Sequence, residues 1–147
     1  MEKYDIATKK LIGRGAFGSV YLYQRKSDRK EVVVKEISLI DLDTSERHQA
    51  IKEIDIIKRC KHPNIVKYFE HFVDDNNFMI VMEYCSGKNL HEFLEKRKLR
   101  DEYLEEDDIK RYFVQIVRGL HYLHLQKILH RDMKTDNLLL DATQKVI

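Results

Sequence analysis

Apolar and polar positions along the first third of the chain follow a short period. Ile6 to Ile12 and Ser19 to Gln24 read as strands separated by a run with three glycines. After the polar turn Lys26-Ser27-Asp28-Arg29, Glu31 to Ile37 is rich in β-branched residues and predicts a third strand. The period then lengthens. Ala50, Ile54 and Ile57 recur on one helical face, behind an Asp43 and Glu46 at capping-box spacing. His62-Pro63-Asn64 closes that helix, and Ile65 to Phe72 and Phe78 to Tyr84 predict two more strands around the turn Asp74-Asp75-Asn76-Asn77.

Past Ser86-Gly87 the pattern is helical. Leu90, Phe93 and Leu94 mark a short amphipathic segment, and Asp108 to Leu125 gives the clearest helix. Its apolar face is Ile109, Tyr112, Phe113, Ile116, Val117, Leu120 and Leu123. Ile128 to Ile147 reads as a loop with two short apolar strands, Leu138 to Leu140 and Val146-Ile147. Five strands with one inserted helix, then two helices and a loop, predict an α+β molecule. A sheet-based part over residues 1–84 joins a helical part over residues 85–147 through Glu83 to Gly87.

Composition narrows the class. With 147 residues, 43% of them apolar and 10% aromatic, the chain can build the core of one ordinary domain, which excludes the disordered class. The 27 basic and 25 acidic residues leave a net charge of +2, so nucleic-acid or membrane binding by bulk charge is not expected. The start, MEKYDIATKK, has no apolar signal region, and runs such as Phe78 to Met82 fall far short of the ~20 residues of a membrane span. Cys60 and Cys85 are scattered, as in a reduced, cytoplasmic protein.

Candidate chemistry begins at Gly13-Arg14-Gly15-Ala16-Phe17-Gly18-Ser19-Val20, a GxGxxGxV run. Glycines let a backbone approach phosphates closely, yet such a run is also consistent with a plain hairpin. A dinucleotide-binding site needs a helix opening at the third glycine. The β-prone Ser19-Val20-Tyr21-Leu22-Tyr23 follows instead, although Glu36 stands about twenty residues on, where a ribose-binding acid would. Lys35 in Val32-Val33-Val34-Lys35 reads either as a solvated edge residue or as a charge with a partner. At about 100° per residue Glu53 falls about 40° from Ile57 and about 60° from Ala50, near the centre of the apolar stripe. A charge there needs a counter-charge, and Lys35 is the natural one.

His130-Arg131-Asp132-Met133-Lys134-Thr135-Asp136-Asn137 is the most specific segment, HRDxKxxN. A carboxylate in a polar loop can orient a hydroxyl and accept its proton; Lys134 can neutralise phosphate, and Asn137 offers an oxygen to Mg²⁺. His121, His124 and His130 read as packing or surface histidines, since no cysteine or carboxylate completes a zinc set.

Together the three motifs resemble a eukaryotic protein kinase, end to end along the chain. EKYDIATKKLIGRGAFGSVYLYQRK, VVVKEI, HPNIVKYFEHF, IVMEYC and HRDMKTDN are most similar to the NIMA-related serine/threonine kinases. The resemblance implies a kinase-like fold, with a β-sheet N-lobe carrying one helix and a truncated, mainly helical C-lobe. It also implies ATP and Mg²⁺ as cofactors, a protein substrate with Ser or Thr, and no nucleic-acid or membrane partner. Cytoskeletal or ciliary partners and location are further family expectations. By motif, residues 12–20 (Ile12, Gly13, Arg14, Gly15, Ala16, Phe17, Gly18, Ser19 and Val20) would cover ATP, and Lys35, paired with Glu53, would bind its α and β phosphates. Met82 would be the gatekeeper, Glu83 and Cys85 would offer backbone groups to adenine, and Val20, Val33 and Leu139 would enclose the ring. Asp132 would be the catalytic base, Lys134 would meet the γ-phosphate, Asn137 would bind Mg²⁺, and Arg131 would pair with a phosphorylated activation loop.

The match stops after Val146-Ile147, before any Asp-Phe-Gly, activation loop or Ala-Pro-Glu. The expectation is a fragment holding roughly the first half of a kinase domain, inactive by itself, with an exposed apolar face on its longest helix. The alternative is a catalytically inactive truncated kinase that binds nucleotide or partners without turnover.

Overall fold

The computed structural model describes residues 1–15, 18–40 and 43–147, without the side chains of Glu46, Gln49, Ala50 and Glu53. β1 (Tyr4–Gly15), β2 (Gly18–Arg25) and β3 (Glu31–Ser38) lead to α1 (Thr44–Arg59), followed by β4 (Tyr68–Asp74) and β5 (Asn77–Glu83). Among the described residues, α2 (Leu90–Lys98) and α3 (Glu106–Leu125) complete the regular elements, with one 3-10 turn at Thr135–Asn137. The chain divides into two compact units, residues 1–60 with 67–84 and residues 61–66 with 85–147.

The first unit is a five-stranded antiparallel sheet in the order β1-β2-β3-β5-β4. Strand alternation gives it two apolar faces. Tyr23, Val32, Val34, Met79 and Val81 line one, and Tyr4 folds onto it, all of them 3% exposed or less. The other carries Ile37 and Ile80, which Ile54 of α1 covers. Covered on both sides, β3 and β5 can afford near-continuous apolar runs, which is why Val32-Val33-Val34 and Met79-Ile80-Val81 are legible as strands.

The second unit packs Leu90, Tyr112, Leu140 and Val146 into one cluster, with Phe93, Leu94, Leu104, Ile116 and Leu138 around it. Asn89 caps α2 by accepting the Glu92 N–H at 2.7 Å.

Four sequence expectations shift. β4 starts at Tyr68 rather than Ile65, because the Ile65 N–H turns back to the His62 carbonyl at 3.1 Å. Residues 61–66, placed by sequence with the sheet, pack with the second unit: the Lys61 N–H reaches Tyr122 Oη at 2.9 Å, and Asn64 Nδ2 reaches the Val146 carbonyl at 2.6 Å. The stripe on α3 splits. Tyr112 and Leu123 are buried, whereas Ile109 (53%), Phe113 (65%) and Val117 (44%) are exposed, one position off the packed edge. Leu138 to Leu140 and Val146-Ile147 form isolated bridges, Asn89 to Leu139 and Leu140 to Val146, in place of strands. The capping role of Glu46, the Ala50 side of the α1 stripe and the Glu53 side chain lie outside the described residues.

Candidate active site

In the first unit, sheet register gathers the candidate nucleotide residues. Gly13 lies opposite Val20, Val20 opposite Lys35 and Lys35 opposite Ile80; Val33 lies opposite both Leu22 and Met82. Directly opposed residues share a face, so Val20, Val33, Lys35 and Met82 stand on the α1-covered side. Arg14 and Gly15 extend the hairpin opposite Ser19 and Gly18, and the exposed Ile12 falls in a register shift between Leu11 and Gly13. Ala16, Phe17 and the Glu53 side chain are outside the described residues, so the Lys35–Glu53 pairing is too.

The glycines of the hairpin are not equivalent. None adopts positive φ. A Cβ on Gly18 would sit 2.0 Å from the Glu36 carbonyl oxygen, so the sheet itself demands glycine there. On Gly13 or Gly15 a Cβ would meet its nearest neighbour at 3.8 or 3.7 Å, an ordinary contact. Folding alone does not require those two.

At the end of β5, the Glu83 N–H donates to the Lys67 carbonyl at 2.9 Å, and Glu83 Oε1 accepts the Lys67 N–H at 2.9 Å. The Glu83 N–H is therefore already engaged within the sheet-side turn. Glu36, the acid that a ribose role would use, is instead bound by Lys9 and Tyr23. Sequence reading missed Lys9 and Tyr23, which sit in an unremarkable β-prone stretch and belong to no motif.

In the second unit the HRDxKxxN loop closes on itself. Arg131 takes a left-handed conformation (φ 67°), a backbone strain of roughly 1–3 kcal/mol for a non-glycine residue. It turns the chain so that the Asp132 N–H meets His130 Nδ1 at 3.4 Å. Lys134 Nζ lies 2.9 Å from Asp132 Oδ2. Asn137 Nδ2 donates to both the Asp132 carbonyl and Oδ2 at 2.8 Å each. With both amide hydrogens spent, Oδ1 is the oxygen Asn137 can offer a hard cation. The Lys134 hydrogen bond, followed by that of Asn137, holds the Asp132 carboxyl below its ordinary value. Asp132 and Lys134 remain open to solvent, with side chains 64% and 52% exposed. Leu139, in the same unit, exchanges two backbone hydrogen bonds with Ile147, at 2.8 and 3.3 Å, and Cys85 is buried. Among the described residues no three His, Cys, Asp or Glu form a metal cage, and no helix is long and apolar enough to cross a membrane.

Comparison with known proteins adds to this geometry. Residues 6–147 match the protein kinase domain. Serine/threonine-protein kinase Nek8 of Danio rerio is 43% identical over 147 residues, all of this chain and 20% of that protein. Nek5 of Homo sapiens is 43% identical over 146 residues, 99% of the chain and 20% of the relative. Nek9 of Mus musculus is 41% identical over 131 residues, 89% and 13% respectively. The chain thus spans about a fifth or less of the length of these relatives.

Proposed function

The chain belongs to the protein kinase domain family, and on that premise we propose that it is the nucleotide-binding and catalytic-loop part of an ATP-dependent serine/threonine kinase of the NIMA-related branch. The observation that carries the reading is the loop in which Asn137 and Lys134 both bind the Asp132 carboxylate while Asn137 Oδ1 is left over.

Each residue then has a task. Asp132, kept ionised at neutral pH, accepts a hydrogen bond from a serine or threonine hydroxyl and takes its proton as that oxygen bonds the γ-phosphorus of ATP and the bond from phosphorus to the bridging oxygen breaks, with ADP leaving. Its depressed basicity suits orientation more than early proton abstraction. Lys134 has three donors and spends one on Asp132, so the others can meet phosphate oxygens. Asn137 Oδ1 would hold magnesium, which when bound neutralises charge on the phosphates. Lys35, on the face shared with Val20, Val33 and Met82, supplies a second cation for phosphate, and Gly13 and Gly15 leave room for the backbone to approach it.

The test is transfer of labelled γ-phosphate from ATP to a serine- or threonine-containing protein by the full-length gene product. Asp132→Asn and Lys35→Met are each expected to lower transfer by at least about a hundredfold, in the range of losing a general base or a phosphate cation. Transfer retained by either variant overturns its role. A wild-type protein that binds nucleotide without turnover establishes the alternative, a binding module.

A further inference from the structure

The pairing of β1 with β2 breaks partway along the hairpin. Asp5 lies opposite Gln24 and Lys10 opposite Leu22, so residues 6–9 of β1 have only Tyr23 to face. An interruption of this kind bends a strand and leaves what lies beyond it free to pivot unless side chains hold the break. Beyond it lie residues 10–15 and 18–22, the glycine hairpin.

Thr8 Oγ1, inside the break, accepts the Gln24 N–H at 2.9 Å, and four further side chains hold it. Lys9 Nζ reaches over β2 to both carboxylate oxygens of Glu36 on β3, at 2.8 and 3.0 Å. The same ammonium lies 3.9 Å from the centroid of the Tyr21 ring. Tyr23, 1% exposed, donates its hydroxyl to Glu36 Oε1 at 2.8 Å. Glu36 is 15% exposed and Lys9 34%, so the pair is mostly sheltered and neither charge is easily left alone. The link joins the first strand to the third, and its anchor adjoins the phosphate candidate: Glu36 neighbours Lys35 and faces Ser19, while Lys35 faces Val20.

We propose that Lys9 is a positioning residue, whose clamp on Glu36 over the Tyr21 and Tyr23 rings fixes the glycine hairpin and thereby sets nucleotide affinity. The nucleotide half of this inference rests on the kinase reading; the hairpin half rests on the sheet alone.

Two measurements on the chain test it with Lys9→Met and Lys9→Arg. Residue-resolved amide hydrogen exchange is expected to speed up in residues 10–15 and 18–22 of Lys9→Met, with β3, β4 and β5 unchanged. Titration with MgADP is expected to show binding weakened roughly fivefold, less than the loss of a direct charge-assisted hydrogen bond because Lys9 acts through the hairpin. Lys9→Arg, which keeps the charge and the reach, restores both. Exchange that is unchanged, or that rises through the whole sheet, overturns the clamp. Local exchange with unaltered MgADP affinity overturns its effect on nucleotide. If the wild-type chain binds no MgADP, the nucleotide-binding reading fails, and the exchange result still decides whether Lys9 holds the hairpin.

Discussion

Asp132 and Tyr23 show how single side chains are tuned by what they touch. Asp132 is solvent-exposed, and its carboxyl still lies below the ordinary value because Lys134 and Asn137 bind its charged form. Tyr23 is shifted in the opposite sense: burial, then the hydrogen bond to Glu36, pushes its hydroxyl from 10 up to about 12. A folded-state value above the unfolded one means the neutral hydroxyl stabilises the fold fully below pH 10, and that contribution is lost as pH rises toward 12. The thermal midpoint is expected to fall across this window, and Tyr23→Phe to flatten the fall; melting curves in steps of pH decide it. At this scale the sequence was only partly legible. HRDxKxxN announced Asp132, Lys134 and Asn137 because their spacing alone puts them in one loop. Lys9 reaches the Tyr23–Glu36 pair from a register shift inside β1, and nothing in a continuous β-prone stretch records where a ladder will break.

Elements were read better than their edges. β3 and β5 carried clear signals because both of their faces are covered. The start of β4 was not legible, since Ile65 and Val66 look like strand residues, yet the Ile65 N–H turns back to His62 and residues 61–66 pack with the second unit. The glycine run was legible as a motif without revealing that its members differ. Gly18→Ala drives a Cβ into the Glu36 carbonyl and should cost about 1–3 kcal/mol of stability. Gly15→Ala finds ordinary space and should leave the thermal midpoint nearly unchanged while weakening nucleotide binding. Paired melting and MgADP titration of the two variants checks this; a Gly15→Ala protein that binds nucleotide normally contradicts the close-approach account.

For the molecule as a whole, the α+β class and the order of elements followed from the change of hydrophobic period along the chain, and the family followed from motifs in fixed order. The helical period of α3 was also plain, but periodicity gives the angular width of an apolar stripe without saying how much of it is covered. Packing takes Tyr112 and Leu123 and leaves Ile109, Phe113 and Val117 as a row of exposed apolar residues. On the proposed reading, Lys35 binds phosphate beneath the glycine hairpin. The most direct test is calorimetric titration of the folded chain with MgATP, alongside Lys35→Met and Asp132→Asn. Saturable binding that Lys35→Met abolishes and Asp132→Asn leaves intact is the expected result. A folded wild-type chain that binds no MgATP, or a Lys35→Met chain that binds it equally well, would contradict that role.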